Sequence, residues 1–156
     1  MKKVFIISLF ALGAQFSFSQ SSGCGIKDVQ VAVEKAAANS KQQEAANQAK
    51  YVKALAQLTK VKKWNATQEG DFGLRIIESN EIKACEENKR KAFMEFMEVL
   101  KTADEKNVTE ANCKVKIQAE EKFNNIIQQN AAEWKVMLDK IGAEYKAVTK
   151  KDLVIE

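Results

Sequence analysis

The chain has 156 residues, of which 46% are hydrophobic and 29% charged, with a formal net charge of +4 and neither histidine nor proline. That length is typical of a single domain. The absence of histidine removes the commonest general base and the usual zinc and haem ligand, and no other metal or cofactor motif is present, so we predict no cofactor.

The N-terminal segment has the three parts of a secretory signal peptide. Lys2 and Lys3 form a basic head, residues 4–14 are an apolar run, and Ser17 and Ser19 put small residues at positions −3 and −1 of a cleavage site. The run is shorter than the roughly 20 residues that span a bilayer. We predict that residues 1–19 are a cleaved signal and that the mature protein is periplasmic or secreted, without a transmembrane segment.

Processing lowers the positive charge of the chain. Loss of Lys2 and Lys3 leaves 23 basic and 21 acidic residues, a net of about +2. A nearly neutral chain gives no reason to expect nucleic acid or an anionic membrane as the main partner.

The mature chain keeps an odd number of cysteines, Cys24, Cys85 and Cys113. In an oxidising compartment two of them are expected to form a disulfide, and the third is free, paired between chains or modified. Gly23 before Cys24 resembles part of a lipoprotein box, but Ser21 stands where leucine is usual. A lipid anchor at Cys24 is therefore an alternative to a disulfide there.

Few helix-breaking residues follow the N-terminal linker, which we place at residues 20–27. Beyond residue 25 the chain contains only Gly70, Gly73 and Gly142. Abundant Ala, Lys, Glu and Gln with little glycine predicts long helices. The first of these, predicted helix A, spans residues 28–63.

Predicted helix A has an apolar stripe with a seven-residue repeat that is mostly alanine in its first half. Alanine buries about a third of the area that leucine does, so this half gains little from packing unless another helix comes close. We predict a docking surface here, either for a second copy or for another envelope component. Its candidate residues are Ala38, Ala45, Ala49, Val52 and Ala56.

Two glycines and an aspartate within residues 70–73 predict that residues 64–73 form a loop. Predicted helix B then spans residues 74–103. Its strongest apolar stripe lies in the second half and consists of Phe93, Phe96, Met97 and Leu100.

Predicted helix C begins near Val108, because Asn107 and Glu110 have the spacing of a capping box. It ends near Lys150 and is followed by a short tail, residues 151–156, so that residues 28–150 form the bundle domain. An apolar stripe runs along about seven turns of this helix and consists of Phe123, Ile127, Ala131, Trp134, Leu138, Ile141, Tyr145 and Val148.

Short polar connections favour antiparallel neighbours, so the fold class is all-α: an elongated antiparallel bundle of about three long helices. In such an up-down-up arrangement the starts of helices A and C lie at the same end, which makes Cys24–Cys113 the first choice for the disulfide. Cys85–Cys113 is the alternative and requires helix B to break, because bridged Cα atoms lie within about 7 Å.

Charge differs between the predicted helices. Residues 26–63 hold eight lysines and three acidic residues, whereas residues 64–105 hold ten acidic and six basic residues. We therefore expect the basic helix A to lie beside the acidic helix B, although each exposed ion pair contributes only about 0–1 kcal/mol.

No catalytic motif accompanies these amphipathic helices. We predict a non-enzymatic, exported interaction or structural protein of the bacterial envelope that acts through helix–helix contacts. Two other classes stay open: a periplasmic chaperone-like module that binds apolar ligands, which architectural analogy alone favours, and a toxin-immunity or inhibitor protein.

Overall fold

The computed structural model describes residues 23–103 and 110–155, and within them every regular element is an α-helix. The elements are α1 (Ile26–Lys62), α2 (Ala66–Ile77), α3 (Asn80–Lys101) and α4 (Glu110–Thr149). The predicted all-α bundle is confirmed, with four helices instead of three. The predicted signal peptide and the predicted cap at Asn107 lie outside the described residues.

Helix α4 is the central element of the bundle and packs against both α1 and α3. It has 40 residues, which corresponds to about 60 Å at 1.5 Å per residue. Near one end, Val29 of α1 clusters with Phe96 of α3 and Phe123 of α4. Near the other end, Leu58 of α1 clusters with Ile141 of α4. Helices α1 and α4 are therefore parallel, and α3 is antiparallel to both.

The ends of α1 are fixed by local hydrogen bonds. Asp28 reaches back, and its carboxylate accepts a hydrogen bond from the backbone N–H of Gly25, at 2.8 Å. An acidic side chain there also interacts favourably with the positive end of the helix dipole. At the other end Lys63 adopts a left-handed conformation (φ 54°), and the N–H of Trp64 donates to the carbonyl of Thr59 at 3.1 Å. This pattern resembles the Schellman ending of helices.

The prediction of a loop at residues 64–73 is wrong, because most of that segment is the first part of α2. Asn65 caps the helix: its side chain accepts from the N–H of Gln68, and the Gln68 side chain accepts from the N–H of Asn65, both at 3.0 Å. Phe72 and Ile76 are buried in the bundle core, and the ring of Trp64 lies 5.0 Å from that of Phe72. The stabilisation from capping and burial outweighs the destabilisation that the two glycines cause in the helix.

Gly70 offers a direct test of this correction. Its backbone is helical, its φ is not positive, and nothing lies within 4 Å of the position that a Cβ would take. We expect Gly70→Ala to stabilise the protein by about 0.5–1 kcal/mol, because alanine loses less backbone entropy on entering a helix. Urea unfolding monitored by circular dichroism measures the change. A lower unfolding midpoint in the variant would contradict the helical assignment.

Predicted helix B is interrupted at Glu78 and Ser79, so that it forms part of α2 and all of α3. The apolar residues predicted for its second half do pack: Phe96 is buried, and Met97 and Leu100 lie against the same cluster. Two acidic residues of α3 pair with α4: Glu95 binds Lys122 at 2.7 Å and Glu81 binds Lys140 at 3.1 Å. Charge therefore joins α3 to α4, where the sequence predicted pairing with α1.

Two apolar clusters form the core. The cluster near the starts of α1 and α4 consists of Val29, Phe96, Ala119 and Phe123. The cluster near α2 consists of Ala54, Leu58, Phe72, Ile76, Ile82 and Ile141. Leu153 and Ile155 also pack against the second cluster, so part of the predicted tail belongs to the packed structure.

Cys24 and Cys113 form the pair that the predicted topology ranked first. Their Cα atoms are 4.6 Å apart and they form a disulfide across 89 residues of sequence. Cys85 lies in α3 as a half-buried free thiol. The disulfide therefore joins the beginning of α1 to the beginning of α4.

Candidate interaction surface

The alanine stripe predicted as a docking surface faces solvent. Ala38, Ala45, Ala49, Val52 and Ala56 are all exposed, and Val52 retains 58% of its accessible surface. At 100° per residue these positions lie within about 60° of one another around the helix axis. We call the exposed residues within about 60° of this stripe the outer face of α1.

A different stripe of α1 packs on the bundle. Val29, Ala54 and Leu58 are buried, and Val33 and Tyr51 lie partly buried against the two clusters. These residues are on the opposite side of the helix from the alanine stripe. The seven-residue repeat of alanines is therefore not the face by which α1 joins the bundle, and it stays uncovered in the described part of the chain.

The middle of the bundle is polar between the two apolar clusters. Lys89 of α3 forms an ion pair with Glu133 of α4, on the same stripe of α3 as the buried residues Ile82 and Phe96. The Glu133 side chain is only 13% exposed. A partly buried ion pair contributes little net stability because both charges lose water, but it favours one register of the two helices.

A small cleft between α1 and α4 lies beside this polar region. It is lined mainly by polar side chains, including Ser40 and Asn47 of α1 and Asn130 of α4, with Trp134 at one side. Its volume is about 10 Å³, which is room for about one water molecule. The cleft is too small for an organic ligand.

Tyr51 is half-buried next to this cleft. Its ring packs edge-on against Trp134, with the centroids 6.0 Å apart. Burial, and secondarily the carboxylate of Glu69, raise the pKa of the Tyr51 hydroxyl, so the side chain is neutral at physiological pH. We assign Tyr51 and Trp134 a packing role, as the sequence predicted for Trp134.

Neither metal-binding nor membrane-spanning features occur in the described ranges. Across residues 23–103 and 110–155, no group of three or more Cys, Asp, Glu or His side chains is arranged to hold a metal ion. None of the four helices has both the length and the apolar composition needed to cross a membrane.

The fold and its surface define a class: an all-α, disulfide-linked helical bundle with an uncovered face on its first helix in the described part of the chain. Comparisons with models of known protein families, with curated proteins and with solved structures found no match for this chain.

The sequence-based prediction of the docking surface omitted the charged residues around the alanine stripe. Lys35 and Lys53 lie about 60° from the centre of the stripe on one side, and Lys41 lies about 60° away on the other. All three are exposed. The seven-residue repeat identified the apolar residues only. A helical projection of the sequence, at 100° per residue, would also have shown that these lysines lie on the same face.

Proposed function

We propose that the protein is an exported, non-enzymatic helical interaction protein of the bacterial envelope, and that the outer face of α1 is its docking surface. The observation that carries the proposal is the exposure of Ala38, Ala45, Ala49, Val52 and Ala56 on the side of α1 opposite its buried residues. A long helix that presents small side chains allows close approach of another helix, because helix axes come nearest where the intervening side chains are smallest.

The disulfide supports the exported location in this proposal. Disulfides form and persist in oxidising compartments and are rare in the reducing cytosol. The Cys24–Cys113 pair is what such a compartment would produce from the two cysteines at the start of the helices. While this bond is formed, the Cys24 thiol is not free to carry a lipid anchor.

The other functional classes have less support from the described residues. A module for apolar ligands needs an apolar groove, and the cleft between α1 and α4 is polar and water-sized. A toxin-immunity or inhibitor role would use the same helix–helix contacts and stays open as a particular case of the proposal. The non-enzymatic part of the proposal comes from the sequence, which has no histidine and no catalytic motif.

Site-specific photocrosslinking tests the proposal. The full chain is expressed in its natural cells with a photoreactive phenylalanine at Ala45, and in a matched variant at Gln128, which is exposed on α4. We expect a discrete adduct of higher mass from position 45 and none from position 128. Absence of an adduct from positions 38, 45 and 49, together with a monomer in light scattering, would refute the proposed docking surface.

A further inference from the structure

The outer face of α1 is strongly basic. Its exposed charged residues are five lysines and one glutamate, a net of +4: Lys27, Lys35, Lys41, Lys53, Lys60 and Glu34. The whole mature chain has a net charge of only about +2, because it contains 23 basic and 21 acidic residues. The net positive charge of this face is therefore larger than that of the whole mature chain.

Three of these five lysines are not neutralised by an ion pair with the described residues. Lys62, which lies outside the outer face, pairs with Glu144 of α4. Lys35, Lys41 and Lys60 form no ion pair with another described residue. Five of the ten acidic residues that the sequence predicted as partners of α1 lie on α3, and two of these five pair with lysines of α4. The outer face thus keeps a charge that a partner can complement.

We infer that the outer face of α1 docks an acidic helix of another protein. This inference rests on the proposed function and names the chemistry of its partner. Alanines at the centre of the face let a second helix approach closely. Lysines at its edges have flexible four-carbon stems that lie along apolar surface and bring their ammonium groups to carboxylates beside the contact. Complementary charge of this kind selects a partner and speeds its association.

The charge disfavours two other occupants. In a dimer of this protein formed through α1, two faces with a charge of +4 each would come together, and like charges in an interface oppose association. A lipid surface would match the charge, but interfacial helices insert bulky side chains such as Trp, Phe and Leu. The apolar residues of the outer face are alanines, with Val31 and Val52 as the only larger ones.

A pair of designed peptides tests the inference. The acidic peptide has about four heptads with Ala and Leu at positions a and d and Glu at e and g, and the control peptide has Gln at e and g. Binding of each to the full mature protein is measured by fluorescence anisotropy at low and physiological salt. We expect the acidic peptide to bind about tenfold more tightly than the Gln peptide, with an affinity that falls as salt rises.

Matched triple variants locate the interaction. Lys35→Glu, Lys41→Glu and Lys60→Glu together reverse charge on the outer face. Lys83→Glu, Lys101→Glu and Lys114→Glu together reverse the same charge at exposed positions of α3 and α4. We expect the first variant to lose about tenfold in affinity for the acidic peptide and the second to change less than about twofold. Ala49→Trp should also lose binding, because the indole blocks close approach. Circular dichroism verifies that each variant is folded.

Several results would overturn the inference. Equal binding of the two peptides would remove the charge basis, and stronger binding to vesicles of phosphatidylglycerol would assign the face to lipid. A dimer in light scattering that crosslinks through position 45 would assign it to a second copy. An adduct at position 45 that persists in the outer-face triple variant would overturn the acidic partner and leave the proposed function standing. Absence of that adduct in the wild type would instead reject the proposed function itself.

Discussion

Replacing both Cys24 and Cys113 with serine is expected to lower the free energy of unfolding by about 4 kcal/mol. The bond closes a segment with a sequence separation of 89 residues, and a crosslink over so long a loop removes much entropy from the unfolded chain. The bond also holds a helix that packs weakly along its length: between Val29 and Ala54, no residue of α1 is fully buried. Urea unfolding, followed by circular dichroism, measures the loss.

The third cysteine supplies the control. Cys85 is a half-buried free thiol, so Cys85→Ser should change the free energy of unfolding by no more than about 1 kcal/mol. Hydrogen exchange should show the local effect of the double substitution as faster exchange in the first half of α1. An unchanged unfolding midpoint in the double variant, or an equal loss in Cys85→Ser, would contradict the role given to this bond.

Leu58→Ala is expected to destabilise the protein by about 3 kcal/mol. Leu58 is fully buried, in the cluster to which all four helices contribute. Truncation removes buried apolar surface and leaves a cavity that helices held from several sides cannot close, and such substitutions cost about 2–5 kcal/mol. Thermal and urea unfolding both report the change.

The same substitution at an exposed position separates burial from helix propensity. Leu74 lies in α2 and is 50% exposed, so we expect Leu74→Ala to cost less than about 1 kcal/mol. If Leu58→Ala and Leu74→Ala were equally destabilising, the cluster that joins the four helices would not be the main core of the bundle. Both leucines are replaced inside helices by a better helix former, which makes the comparison direct.

Much of the architecture could be predicted from residue types and their spacing. The bounds predicted for helix A, 28–63, differ from those of α1 (Ile26–Lys62) by one or two residues, because basic and polar residues with few glycines continue the helix and the sequence after Lys63 ends it. The up-down-up order followed from short polar connections, and it ranked Cys24–Cys113 above Cys85–Cys113. Each of these predictions depended on local or topological rules alone.

The error at α2 has a specific physical cause. The prediction of a loop depended on Gly70 and Gly73, but each glycine destabilises a helix by only about 1 kcal/mol. Burial of Phe72 and Ile76 against the other helices outweighs that amount. The Asn65–Gln68 capping pair was a local signal that could have indicated the helix before the structure was known.

The alanine face of α1 could be proposed from the sequence as a docking surface, but the sequence could not show that this face lies on the solvent side of the bundle. Helix α1 carries two stripes on opposite sides, one of alanines with Val31 and Val52, and one that includes Val29 and Leu58. Both have helical spacing, so periodicity by itself does not say which one is buried. The larger side chains of the second stripe bury more apolar area, and the bundle uses that stripe.

The sequence by itself determined that this protein is helical and where its first helix begins and ends to within one or two residues, and it ranked Cys24–Cys113 first among the disulfide pairings, because helix propensity and connection length act over a few residues. Only the tertiary structure decided that Phe72 and Ile76 of α2 are buried, that Leu153 and Ile155 pack on the core, and that the basic alanine face of α1 is left to solvent. Those outcomes depend on competition for buried apolar area among segments far apart in the chain, a quantity that no local pattern contains.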